Sequence, residues 1–103
     1  RANNGIRPLK MGEKLRRKAH RHSVRMSKQR RIFHHSCLSC IAPGSWTRIG
    51  ENVAKAKTVR AAHRALMRSS GHRSNILCGC YSKAGMGVVK RAGWVYVTQI
   101  FLG

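Results

Sequence analysis

In 103 residues the chain carries 22 Lys or Arg against 2 acids, with 6 His and 4 Cys, giving a formal net charge of +20. There is no Asp, and Glu13 and Glu51 are the only acids. A Ser-His-Asp triad, a carboxylate-rich two-metal site and an EF-hand loop are therefore excluded by inventory. The length fits one domain over residues 1–103, burying about 60–65% of its unfolded surface. An apolar content of 42% points to a folded basic domain rather than a disordered tail. No run approaches the ~20 apolar residues of a membrane span, the longest being Trp94 to Leu102, broken by Thr98 and Gln99. The numbering opens at Arg1 without Met, which is compatible with a cleaved leader.

Leu9, Met11, Leu15, Ala19, His22 and Met26 recur at three- and four-residue steps, which predicts an amphipathic helix over roughly residues 10–30. Its polar side sets Lys14 four residues before Lys18, and Arg17, Arg21 and Arg25 four apart. Each such like-charge pair costs about 0.2–0.5 kcal/mol, so this helix has to be held by its buried face. From Ile32 to Ser45 the pattern gives way to His34-His35-Ser36-Cys37, Cys40 and Pro43-Gly44, which reads as loop. A second helix is expected through Val59, Ala62, Leu66 and Met67, with Thr58 as N-cap and Gly71 as its stop, then a short helical turn from His72 to Leu77. Met86 and Val88, then Trp94, Tyr96, Thr98 and Ile100, alternate around an Arg91-Ala92-Gly93 turn, the pattern of a β-hairpin. Apolar residues at both parities in Trp94-Val95-Tyr96-Val97 predict a strand covered on both faces.

Three segments in this order, Phe33-His34-His35-Ser36, Gly50-Glu51-Asn52-Val53-Ala54 and Ser69-Ser70-Gly71-His72-Arg73-Ser74-Asn75-Ile76-Leu77, resemble the bacterial branch of the CAP superfamily, the SCP-like extracellular domains. The Asn-containing stretch before Arg7-Pro8-Leu9 is similar to the end of that family's first helix, and Val95 to Phe101 to its last strand. The resemblance implies an α+β fold, an α-β-α sandwich with a small antiparallel sheet between helices, secreted or displayed at the cell surface. It also implies a cleft gathering His35, Glu51 and His72, with Arg73 and Asn75 beside it as ligand-binding candidates. A fourth cleft member, an acid in the preceding helix, has no match, since that helix offers Arg60, His63, Arg64 and Arg68.

Two imidazoles and a carboxylate are one route to a three-ligand zinc site with an open position for water, hence to a metal-assisted hydrolase. The plainer reading makes Glu51 a hydrogen-bond anchor between loops, with no cofactor required and zinc bound only weakly. Serines beside histidines, Ser36, Ser69 and Ser70, more commonly cap helices than act as nucleophiles. Cys37, Cys40, Cys78 and Cys80 suit a disulfide framework better than a four-thiolate zinc site, because the second pair is CxC rather than CxxC. Three pairings are open, and cross-pairing between the two halves is sterically reasonable if His35 and His72 share a cleft.

The charge itself implies anionic partners such as cell-surface polymers, nucleic acid or acidic membranes. The basic tracts Arg16-Arg17-Lys18 and Lys28-Gln29-Arg30-Arg31 contain no aromatic residue, which disfavours base stacking and sequence-specific nucleic-acid recognition. The function expected from sequence is thus a secreted binding module with a His-Glu-His cleft at an anionic surface. A hydrolase using the same cleft and a charge-driven polyanion binder are the alternatives.

Overall fold

Strand alternation on β2 (Ile49–Ala56) and β4 (Trp94–Leu102) sorts the core into two layers, one on each side of a sheet. A computed structural model describes residues 9–42 and 44–103, so the Asn-containing N-terminal stretch and Pro43 lie outside the described residues. The remaining elements are β1 (Lys10–Met11), α1 (Glu13–Gln29), α2 (Val59–Arg68), α3 (Ser70–Leu77) and β3 (Lys83–Arg91), with a 3-10 turn at Leu38–Cys40. The sheet order is β1-β3-β4-β2, antiparallel except that the two-residue β1 runs parallel to β3.

On one side of the sheet lies α1. Its buried residues Leu15, Ala19, His22, Ser23, Met26 and Ser27 follow the expected helical steps. Leu15 and Ala19 pack with Ile100 and Leu102, and Met26 packs with Val53 and Tyr96. Full burial of Leu15 and Met26 stabilises the fold by roughly 1.5–3 kcal/mol each. The helix lies directly on β3 because Gly85 and Gly87 present no side chain there. A Cβ at Gly85 would collide with the backbone at Leu15 and Arg16, and one at Gly87 with that at Ala19 and His20. Ser23 satisfies its buried hydroxyl between the Gly87 carbonyl at 3.0 Å and Thr98 Oγ1 at 2.8 Å.

The other face carries α2 and α3. There Ala54, Val95, Val97, Phe101 and Ala84 meet Ala62 and Leu66 of α2 and Ile76 of α3. The β4 strand is therefore covered on both faces, as its double-parity apolar pattern predicts. Thr58 caps α2, its hydroxyl accepting the Ala61 N–H at 3.0 Å. The β3–β4 turn places Ala92 and Gly93 at φ 52° and 80°, the left-handed pair that a two-residue hairpin of this twist requires.

Two sequence expectations change, and one strand enters that the sequence pattern does not announce. Helix α1 starts at Glu13, and Met11 stands 65% exposed on β1, because Lys10 N–H and Gly12 N–H bond to Ser82 and Ala84 carbonyls and draw the segment into the sheet edge. Gly71 does not stop α2. An extended Ser69 (φ −89°, ψ 120°) ends α2 and opens α3, a conformation needing no glycine, so Gly71 lies inside α3. That strand is β2, whose Gly50, Glu51 and Asn52 are poor strand formers held in place by tertiary partners.

Candidate functional site

Glu51 and Asn52 are neighbours on β2, so their side chains leave the sheet on opposite faces. Glu51 turns toward α1 and the loop that follows it, with its side chain only 1% exposed. The carboxylate accepts from His34 Nδ1 at 2.9 Å, from the His35 backbone N–H at 3.0 Å and from His35 Nδ1. A carboxylate can only accept, so both Nδ1 atoms carry hydrogen. Burial alone would raise the Glu51 pKa, but the His35 ring, the His35 backbone N–H and the His34 ring together hold it below the ordinary value.

A third imidazole joins from the helix. The His22 ring stacks on that of His35 with centroids 3.9 Å apart. Arg25 Nη2, always a donor, lies 3.1 Å from His22 Nδ1, which must therefore accept. Nε2 then carries the proton and donates to the Phe33 carbonyl at 2.5 Å. Burial lowers the His22 pKa, in keeping with a neutral ring between these partners.

His22, His35 and Glu51 each offer a ligand atom within 4.8 Å of the others. Two nitrogens and an oxygen suit zinc by type. By availability they suit it less. Both His22 nitrogens and both Glu51 oxygens already have partners, and among the described residues no buried side-chain nitrogen or oxygen lacks one. A cation here must displace existing hydrogen bonds.

His72, the sequence candidate for the second imidazole, is not in this three-ligand group. Its Nδ1 pairs with Ser69 Oγ at 2.8 Å, and its carbonyl accepts from Asn52 Nδ2 at 3.1 Å. Asn52 also bonds to Gln99 Oε1, and Asn75 Nδ2 donates to Asn52 Oδ1 at 2.9 Å, so Asn75 ties α3 to the sheet while Arg73 is exposed. Neither His22 nor His34 is among the cleft candidates that the sequence offers. The signal for His22 was present: a titratable ring on the apolar stripe of α1 needs buried partners.

The cysteines are joined locally, Cys37 to Cys40 and Cys78 to Cys80. Neither bond crosses between the two halves, because each pair sits within its own turn. No thiol among the described residues is free for a metal.

Residues 1–101 match the profile of the CAP, or cysteine-rich secretory protein, family. The chain belongs to the CAP family. It is 34% identical to the YkwD protein of Bacillus subtilis over 112 residues, spanning 42% of that protein's length. An extracellular SCP-domain protein of Bacillus anthracis superposes with a TM-score of 0.84 at 25% identity, over 99% of this chain and 36% of that one. An outer surface protein of Borrelia burgdorferi superposes with a TM-score of 0.88 at 16% identity, over 99% of this chain and 82% of that one, a likeness of fold alone. The α-β-α arrangement is thus that of a CAP domain. No helix among the described residues is long and apolar enough to cross a membrane.

Proposed function

We propose that this CAP domain is an extracellular or cell-surface binding module, one domain over residues 1–103, that docks on anionic polymers. The observation that carries the reading is where the two acids go. Glu51 is buried against His34 and His35, and Glu13 is engaged by Arg16, with Oε1 2.5 Å from Nη2. The outward surface therefore has almost nothing to balance 22 Lys and Arg. Such a field attracts polyanions over a distance set by salt, about 10 Å at 0.1 M.

Binding to heparin and to inorganic polyphosphate across a salt series tests this. Affinity is expected to fall linearly on logarithmic axes as counterion release weakens. Absence of binding at low salt, or affinity indifferent to salt, overturns the reading.

The His22, His35 and Glu51 group supports a second, lesser property, weak zinc binding without a cofactor role. His22 and Glu51 would each surrender a hydrogen bond to the ion, so calorimetry is expected to give micromolar affinity or weaker. Nanomolar affinity would instead favour the metal-assisted hydrolase.

A further inference from the structure

The basic tracts lack aromatic residues in sequence, yet folding brings aromatic rings to the cations. Helix α1 closes at Arg30, whose left-handed backbone (φ 57°) turns the chain so that Phe33 packs on Met26, Val53 and Tyr96. Trp94, the first residue of β4, packs against the same cluster. Two rings are thus anchored in one cluster. Lys57 Nζ lies 3.9 Å from the Trp94 ring centroid and Lys55 Nζ 4.8 Å from it, while the Arg31 guanidinium lies 4.6 Å from the Phe33 ring centroid. Lys55 Nζ also donates to the Arg30 carbonyl at 3.2 Å.

We propose that Lys55 and Lys57, ordered on Trp94, with Arg31 on Phe33 beside them, form a seat for the phosphate or sulfate ester groups of a linear polyanion. The inference rests on the polyanion reading above and assigns it a place. Two ammonium groups sharing one indole repel each other, and no carboxylate relieves them: Glu13 is taken by Arg16 and Glu51 by the two histidines. The ester groups of a linear polyanion can accept from both ammonium groups, whose remaining N–H donors are not consumed by the ring. The indole is already engaged by cations, so the seat reads charge rather than a stacked base or sugar.

Order is what separates this seat from the rest of the basic surface. Lys14, Arg17, Lys18 and Arg21 surround a shallow depression of about 210 Å³ beside Ile41 and bring more charge. Among the described residues no aromatic ring holds them, and each long side chain loses its rotamer freedom on binding. At the seat the rings and the Arg30 carbonyl have already restricted the cations. Equal charge removed from the two places should have unequal effects.

The test compares Lys55→Ala/Lys57→Ala with Lys14→Ala/Lys18→Ala, each removing two charges, in titrations with polyphosphate and with dextran sulfate at low salt. A Trp46→Phe background leaves Trp94 as the sole indole reporter. Binding is expected to change Trp94 emission, and the seat variant is expected to lose about fivefold more affinity than the helix variant, the scale of a cation–π contact. Equal losses, or binding that leaves Trp94 emission untouched, would overturn the seat while leaving the polyanion reading intact. Failure of the unsubstituted protein to bind either polymer would instead remove that reading. Lys57→Ala alone, at an exposed position beyond the end of β2, is the second variant in case the double substitution disturbs folding, and it should weaken binding and alter Trp94 emission in the same direction. Preference for polyphosphate or for dextran sulfate identifies whether the seat takes phosphate or sulfate oxyanions, and neutral dextran is expected not to bind.

Discussion

Replacing Glu51 by Gln keeps the volume of the side chain and removes its charge, so it isolates the role of the carboxylate. The wild-type group accepts three hydrogen bonds while 1% exposed, two of them from His35, whose side chain is 6% exposed, and one from the more exposed His34. An amide retains one acceptor oxygen and presents an NH2 donor where the other oxygen met an N–H. A hydrogen bond to a charged group is worth about 1.5–3 kcal/mol net, and an unsatisfied buried donor costs about 1–3 kcal/mol. The His34 bond contributes least because solvent screens it. A loss of roughly 3 kcal/mol follows, which for a domain of this size lowers the melting temperature by about 10–25 °C.

Thermal melts at neutral pH followed by circular dichroism provide the assay, with Glu13→Gln as the control. Glu13 is exposed at the surface, and its loss should barely move the midpoint. The depressed Glu51 pKa adds a second signature. Its stabilisation is present above the unfolded carboxylate value near ~4.3 and is lost as pH falls through the lower folded value. Wild-type stability should therefore fall more steeply than that of Glu51→Gln on acidification below that point. A Glu51→Gln midpoint within about 2 °C of wild type would refute the anchor, since it would place the three bonds far below their expected worth.

His22 is held neutral by burial, so the unfolded chain takes up a proton first as pH falls below ~6.5, and stability should decline from there. Urea titrations of His22→Gln between pH 5 and 7 are expected to show a flatter profile, and an unchanged slope would count against the neutral ring. Gly87→Ala places a methyl against the Ala19 and His20 backbone and should push α1 off β3, costing about 1–3 kcal/mol or more by denaturant melts; a neutral outcome would mean that α1 does not sit so close. The two disulfides close very short loops, for which chain entropy gives only about 1.5–2 kcal/mol each, against about 4 kcal/mol for a bond crossing some forty residues. The reduced protein should remain folded by circular dichroism, and non-reducing peptide mapping should recover Cys37 with Cys40 and Cys78 with Cys80.

The sequence by itself determined whatever depends on near neighbours. The steps Leu15, Ala19, His22 and Met26 mark the buried face of α1, and Thr58 marks the start of α2. The Ala92-Gly93 turn marks the hairpin, and the double parity around Tyr96 marks the strand with two covers. The three motif segments pointed to the family. Each of these signals is written within one or two turns of chain. Tertiary structure decided the rest, because it depends on residues far apart in sequence meeting at a particular orientation. Met11 joins the sheet edge only because Ala84 offers it a partner strand, and β2 is a strand because β4 pairs with it along its full length. His22 reaches His35 only because Gly85 and Gly87 let α1 lie against the sheet, and Glu51 and Asn52 serve different sites because consecutive strand residues face opposite ways. Trp94 gathers Lys55 and Lys57 across two strands for the same reason: a cation finds its aromatic partner by the register of the sheet, which no local pattern specifies.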